Sequence, residues 1–280
     1  LVIPFVNNWD DYGGMNQYVR WRAGLSLAAP GVERRYSEAD LARTVTGGPG
    51  RAYRFAITEQ FGHDDFYTDS LIGVWFQAYI THLINRINTY TGIRYRDEPF
   101  IVGWELANEP RSSDRSGELV RRWAERISAF IKSADPHHLV GTGEEGFDVS
   151  PQAYSTGLYN NQRWLFDGTA GISFHQNIVI PTIDFGSCHL YPEVWNLPYG
   201  AGNTWIRDHV RLARAVGKPL LLGEFGVRTQ RPVVYTSWLA TVLYDGAAGA
   251  MVWQILEGPR SDAEGYGFRC PGEEMTCERL

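Results

Sequence analysis

Two glutamates in this chain stand where a carboxylate can do chemistry. Glu109 closes the run Phe100-Ile101-Val102-Gly103-Trp104-Glu105-Leu106-Ala107-Asn108-Glu109-Pro110, an apolar climb that ends in an amide, an acid and a proline. Glu224, 115 positions later, closes Leu220-Leu221-Leu222-Gly223-Glu224-Phe225-Gly226, bracketed by glycines that permit sharp turns and close approach of a ligand. Pro110 has no N–H for a ladder bond and disfavours a helical backbone at the residue before it, which predicts that the strand stops here with Glu109 extended. A lone glutamate is more often a solvated or salt-bridged surface residue, yet an unpaired charge at the end of a buried strand is costly. One carboxyl that gives and takes a proton beside one that attacks is the equipment of glycoside hydrolysis. Asn108, His189, Tyr191 and Trp253 fall at strand ends too and are candidate supporting groups.

Such groups need elements to carry them. Leu1 to Val6 reads as an apolar strand running into a polar-aromatic loop, and residues 22–62 as an irregular excursion with a short strand at 53–57. Leu71, Trp75, Tyr79, Leu83, Ile87 and Tyr90 recur every three or four residues and predict a helix over 68–90. A second helix is expected over 116–133, with Leu119, Val120, Trp123, Ile127, Phe130 and Ile131 on one side. Strands at 138–142, 183–189, 220–223 and 249–255 alternate with helices at 205–216 and 232–244, and 148–178 lacks periodicity. The strands are continuous apolar runs and every polar cluster follows a strand, the pattern of a parallel sheet covered by helices. A barrel gathers such strand ends on one rim more naturally than an open doubly wound sheet.

Composition narrows the function. A chain of 280 residues fits one large domain, so residues 1–280 are expected to form a single catalytic domain. Net charge is −6 with a pI near 5.7 and no basic stripe, which argues against nucleic acid. No run reaches the ~18 apolar residues of a membrane span. The 10 Trp, 15 Tyr and 13 Phe suit either a ring-rich core or a cleft in which sugars stack on aromatic faces. Cys270 and Cys277 suit a small loop-closing disulfide and an oxidising compartment, Cys188 a buried free thiol, and three scattered cysteines make no zinc site. Leu1-Val2-Ile3-Pro4 lacks the charged start and the length of a signal peptide, so a secreted protein is expected here in mature or truncated form. Gly141-Thr142-Gly143-Glu144-Glu145-Gly146 matches a dinucleotide fingerprint only as a string, because no helix pattern follows and two acids would repel a pyrophosphate. His137-His138 reads as a solvated turn, and no Gly-x-Ser-x-Gly elbow offers a serine nucleophile.

Trp104-Glu105-Leu106-Ala107-Asn108-Glu109-Pro110 and Gly223-Glu224-Phe225-Gly226 resemble the acid/base and nucleophile signatures of family five glycoside hydrolases, retaining enzymes on a (β/α)8 TIM barrel. Asn7-Asn8-Trp9-Asp10-Asp11-Tyr12-Gly13-Gly14, His63-Asp64-Asp65-Phe66-Tyr67-Thr68-Asp69, Asn88-Thr89-Tyr90-Thr91-Gly92, His189-Leu190-Tyr191-Pro192 and Val252-Trp253-Gln254 are similar to motifs of the bacterial and plant-type endo-β-1,4-mannanases. The resemblance implies Glu109 as general acid/base, with a raised pKa, and Glu224 as ionised nucleophile. It further implies Asn108 on the sugar 2-hydroxyl, Tyr191 holding Glu224, His189 at the same subsite, Trp253 as the platform beneath the sugar, and Asn8 and Trp9 among the substrate-binding groups. A retaining mechanism requires the two carboxyls about 5–5.5 Å apart, and about 9 Å would exclude it. The resemblance also implies a mannan-type polysaccharide substrate, no cofactor or metal, and a secreted, extracellular monomer.

The segment between Gly14 and His63 is longer than the family pattern implies and reads as an insertion near the cleft, and the chain departs from the family in a second respect. Its six strand ends, near Val6, Leu106, Thr142, His189, Gly223 and Gln254, look like strands three to eight of such a barrel. On that comparison the first two βα units, with an arginine the family places at the end of strand two, are expected to lie outside residues 1–280. Residues 1–280 alone are therefore expected to fold poorly and to hydrolyse mannan feebly. The alternatives are another family five activity, a β-1,4-glucanase or β-mannosidase, or a non-catalytic carbohydrate-binding relative. Two glutamates at paired strand ends argue against a pure binder.

Overall fold

In the computed structural model, described for residues 1–25, 44–48, 51–54, 57–58, 60–159, 162–256, 262 and 264–270, six parallel strands run side by side in chain order. β1 (Val2–Pro4) and two strands of an antiparallel hairpin, β2 (Thr44–Gly48) and β3 (Arg51–Arg54), come first. β4 (Gly103–Glu105), β5 (Leu139–Gly141), β6 (Gly186–Leu190), β7 (Leu220–Phe225) and β8 (Gly249–Val252) complete the set. The ladder β1-β4-β5 joins the ladder β6-β7-β8 through Asp184 N to Val140 O at 2.7 Å and His189 N to Glu145 O at 3.1 Å. The result is a partial barrel whose strands all point to one rim.

Seven helices are described: α1 (Gly14–Arg22), α2 (Asp65–Thr68), α3 (Ser70–Ile84), α4 (Glu118–Ala134), α5 (Phe174–Asn177), α6 (Ala201–Ala215) and α7 (Arg231–Asp245). Asp69 caps α3, its Oδ1 accepting from Leu71 N and Ile72 N at 2.9 and 3.0 Å. The buried stripe of α3 is Ile72, Phe76, Ile80 and Ile84, one residue on from the expected Leu71, Trp75, Tyr79 and Leu83. This helix is apolar on most of its surface, so spacing alone does not choose its inner face. It also ends early, leaving Tyr90 98% exposed in the loop that follows. α4 behaves as expected, burying Val120, Trp123, Ile127 and Ile131.

Most of the rings are core. Trp9, Trp104, Trp123, Trp205 and Trp238 are fully buried, in clusters such as Phe66, Phe76 and Trp123 beneath α3 and Phe147, Trp195 and Trp205 beneath α6. The strand expected at 53–57 lies instead at Arg51–Arg54 within the hairpin, while residues 26–43 of the excursion lie outside the described residues. Cys188 is the buried free thiol expected. Cys270 is disulfide-bonded, and Cys277 lies outside the described residues. The His137-His138 turn is only half solvated. Asp135 accepts from Trp104 Nε1 at 2.8 Å and lies 2.7 Å from His138 Nδ1, a buried staple at the barrel's lower end. No helix among the described residues is long and apolar enough to cross a membrane.

Candidate active site

The rim places the two glutamates face to face. Beyond β4 the chain stays paired, with Asn108 N on Val6 O at 2.7 Å, Asn8 N on Asn108 O at 3.0 Å and Glu109 N on Gly143 O at 2.8 Å. Glu109 is not extended as Pro110 suggested; its φ is +53°, a left-handed conformation sparsely used by non-glycine residues. The bond to Gly143 and the grips on its carboxylate hold it there. Gly143 is itself required, since a methyl group would come 1.9 Å from Ala107 O. On the other side, the register between β6 and β7 slips after Cys188, which faces Leu222, so that His189 faces Glu224. The inserted Gly223 is a bulge, and it aims Glu224 at the site.

Glu109 is 2% exposed and held through both oxygens. Trp9 Nε1 donates to Oε2 at 2.5 Å and His189 Nδ1 to Oε1 at 2.8 Å. Glu224 is partly open, with Tyr191 Oη donating to its Oε2 at 2.6 Å and His189 Nδ1 3.8 Å from the same oxygen. One oxygen of each glutamate lies within 4.8 Å of the other. So close an approach of two carboxylate oxygens suits a direct attack, as in retaining enzymes, whose carboxyls stand closer together than the ~6.5–9.5 Å of inverting ones.

Burial alone would lower the pKa of His189, but the charge of Glu224 and the hydrogen bond to Glu109 outweigh it and push it up to about 9. The ring therefore favours its protonated form between the two glutamates. Glu109, His189 and Glu224 are also the one group among the described residues with metal-compatible spacing.

Asn108 and Trp253 are partly exposed at the rim, as a substrate contact requires. Asn8 and Trp9 are fully buried. Asn8 Oδ1 pairs with His63 Nε2 at 2.9 Å, and Trp9 reaches the site through its indole N–H rather than its face. Three acids escaped the sequence reading. Glu105, one turn of the pleat below the rim, is raised by burial against the pull of His189. Glu144 is pushed up to about 8 by burial. Glu145 forms a buried bidentate pair with Arg111, at 2.8 and 2.6 Å. In the sequence, Glu144 and Glu145 only spoil a nucleotide fingerprint; their shared burial could not be seen there.

A model of glycoside hydrolase family 5, described as β-mannosidase-like, matches residues 1–257. The chain belongs to this family. The family 5 chain is 34% identical over 255 residues to mannan endo-1,4-β-mannosidase F of Aspergillus fumigatus, covering 91% of this chain and 46% of that one. Among solved structures it is similar to the endo-β-1,4-mannanase of Thermotoga petrophila, with a TM-score of 0.81 and 34% identity, over 100% of this chain and 56% of that one. The endo-1,4-β-mannanase of Rhizomucor miehei aligns with a TM-score of 0.76 and 32% identity, over 98% of this chain and 68% of that one. The fold is thus that of the (β/α)8 barrel, of which the described residues supply six parallel strands. The chain spans about half the length of the curated relatives it matches.

Proposed function

We propose that the protein is a retaining glycoside hydrolase that cleaves β-1,4-mannosidic bonds internally in mannan, glucomannan or galactomannan. The observation that carries the reading is the close approach, within 4.8 Å, of one carboxylate oxygen from Glu109 and one from Glu224. Glu224 attacks the anomeric carbon while Glu109 passes its proton to the departing glycosidic oxygen, giving a glycosyl ester. A water then gives its proton to Glu109 and attacks the same carbon, releasing Glu224. Tyr191 orients the nucleophile, His189 supplies a positive charge between the two acids, Asn108 holds the 2-hydroxyl and Trp253 underlies the sugar. The names of the similar proteins favour mannan over cellulose and internal over terminal cleavage. Because the matching family model is described as β-mannosidase-like, removal of single terminal mannoses is the second reading. Extracellular action on polysaccharide belongs to the same proposal.

The test is release of reducing sugar by the full-length protein from mannan and from cellulose, with Glu224→Ala as control. Oligosaccharides of mixed length with retained anomeric configuration are expected from mannan. Mannose alone would establish the terminal reading, and cleavage of cellulose but not mannan would replace both with a glucanase.

A further inference from the structure

Two hydrogen bonds that grip the Glu109 carboxyl lead back to one buried ion pair. Arg111 follows the glutamate by two residues, and Glu145 lies on the loop after β5; each side chain is 4% exposed. The guanidinium binds Glu145 through Nε to Oε2 at 2.8 Å and Nη2 to Oε1 at 2.6 Å, a two-pronged arrangement that locks both planes. Its face stacks on the Trp9 indole, Cζ to ring centroid 5.1 Å, and on Phe147 at the same distance. The Trp9 indole is the donor to Glu109 Oε2. The donor to Glu109 Oε1 is His189, whose backbone N–H bonds to the carbonyl of Glu145 at 3.1 Å.

We propose that the Arg111–Glu145 pair is a positioning device for the proton-transfer residue: it fixes the Trp9 indole and the His189 backbone, and through them the orientation of the Glu109 carboxyl. This rests on the function proposed above. Arg111 and Glu145 act through Trp9 and His189 and need not touch the sugar. Replacing a buried charge pair by apolar residues is often tolerated, so its retention beside the acid is better explained by orientation than by stability.

A series of aryl β-mannobiosides, from dinitrophenyl to unsubstituted phenyl, tests this with the full-length protein. All members occupy the same subsites, but only the poor leaving groups need a proton. General acid catalysis is worth about 10²–10⁴-fold, so a misoriented but present acid should cost about 10–100-fold. Arg111→Met and Trp9→Phe are each expected to lower kcat/KM on the phenyl substrate by that factor and on the dinitrophenyl substrate less than about threefold. The double variant should be no worse than the poorer single one, because both lie on one path. Arg111→Lys, which keeps the charge but loses the planar fork and stack, and Glu145→Gln should show the same leaving-group dependence, and either serves if Arg111→Met does not fold. Equal losses across the series, or additive losses in the double variant, would overturn the inference. A wild-type protein inert on every aryl mannobioside would instead strike the proposed function.

Discussion

Glu144 offers a direct measure of how dry the region behind the rim is. Its Oε1 accepts from Thr142 Oγ1 at 2.7 Å and Asn177 Nδ2 at 3.2 Å, while Oε2 is buried with no partner. Burial pushes the carboxyl from its ordinary 4.5 up to about 8. Between those values the folded protein holds a proton that the unfolded chain has lost, so stability falls as pH rises. The contribution is whole below pH 4.5 and gone above pH 8. At about 1.4 kcal/mol per pH unit the loss across the window is about 5 kcal/mol, comparable with the ~5–15 kcal/mol total stability of a domain. Glu144→Gln keeps the shape and the acceptor for Thr142 and Asn177 but cannot ionise. Guanidinium unfolding of both proteins, followed by tryptophan fluorescence from pH 5 to 9, should show the variant equal to or up to ~3 kcal/mol below wild type at pH 5, the cost of one buried amide. Wild type loses about 4 kcal/mol between pH 5 and pH 9, so the variant should be the more stable by about 1–4 kcal/mol at pH 9. Other groups that titrate in this range, His189 among them, are common to both proteins and largely cancel in the difference. A difference that does not change with pH would refute a proton held by Glu144.

Three further outcomes are expected. Tyr191→Phe removes the 2.6 Å hydrogen bond to Glu224; such bonds to charged groups are worth ~1.5–3 kcal/mol, so kcat/KM on dinitrophenyl mannobioside should fall about 10–150-fold, and unchanged activity would refute the role given to Tyr191. Gly143→Ala brings a methyl group 1.9 Å from Ala107 O at a φ of +75°, which should cost several kcal/mol and lower the thermal midpoint measured by calorimetry. Trp104→Phe takes one donor, at 2.8 Å, from the buried Asp135; its urea midpoint should fall by the equivalent of ~1–3 kcal/mol while kcat holds, because the staple lies at the opposite end of the strands from the site.

What could be read from residues was what depends on local pattern. The apolar runs closing on Glu109 and Glu224, the amphipathic stripe of α4 and the strand-helix alternation are all short-range, and the structure bears them out. Where local cues were weak or in competition they misled. The apolar surround of α3 hid its inner face by one residue, and the effect of Pro110 on Glu109 gave way to hydrogen bonds from elements far away in sequence.

The two glutamates first drew notice as strand ends, and the sequence alone determined that two acids would stand on one rim. Only the tertiary structure decided their spacing, through the Gly223 bulge that turns Glu224 towards His189. It also decided that Trp9 reaches Glu109 through its indole N–H, and that Arg111 and Glu145 meet buried behind it. The physical reason is the same in each case. A side chain's identity is written at one position, but its burial, charge state and partners are set by neighbours 30 to 100 residues away, such as Arg111 with Glu145 and Trp9 with Glu109.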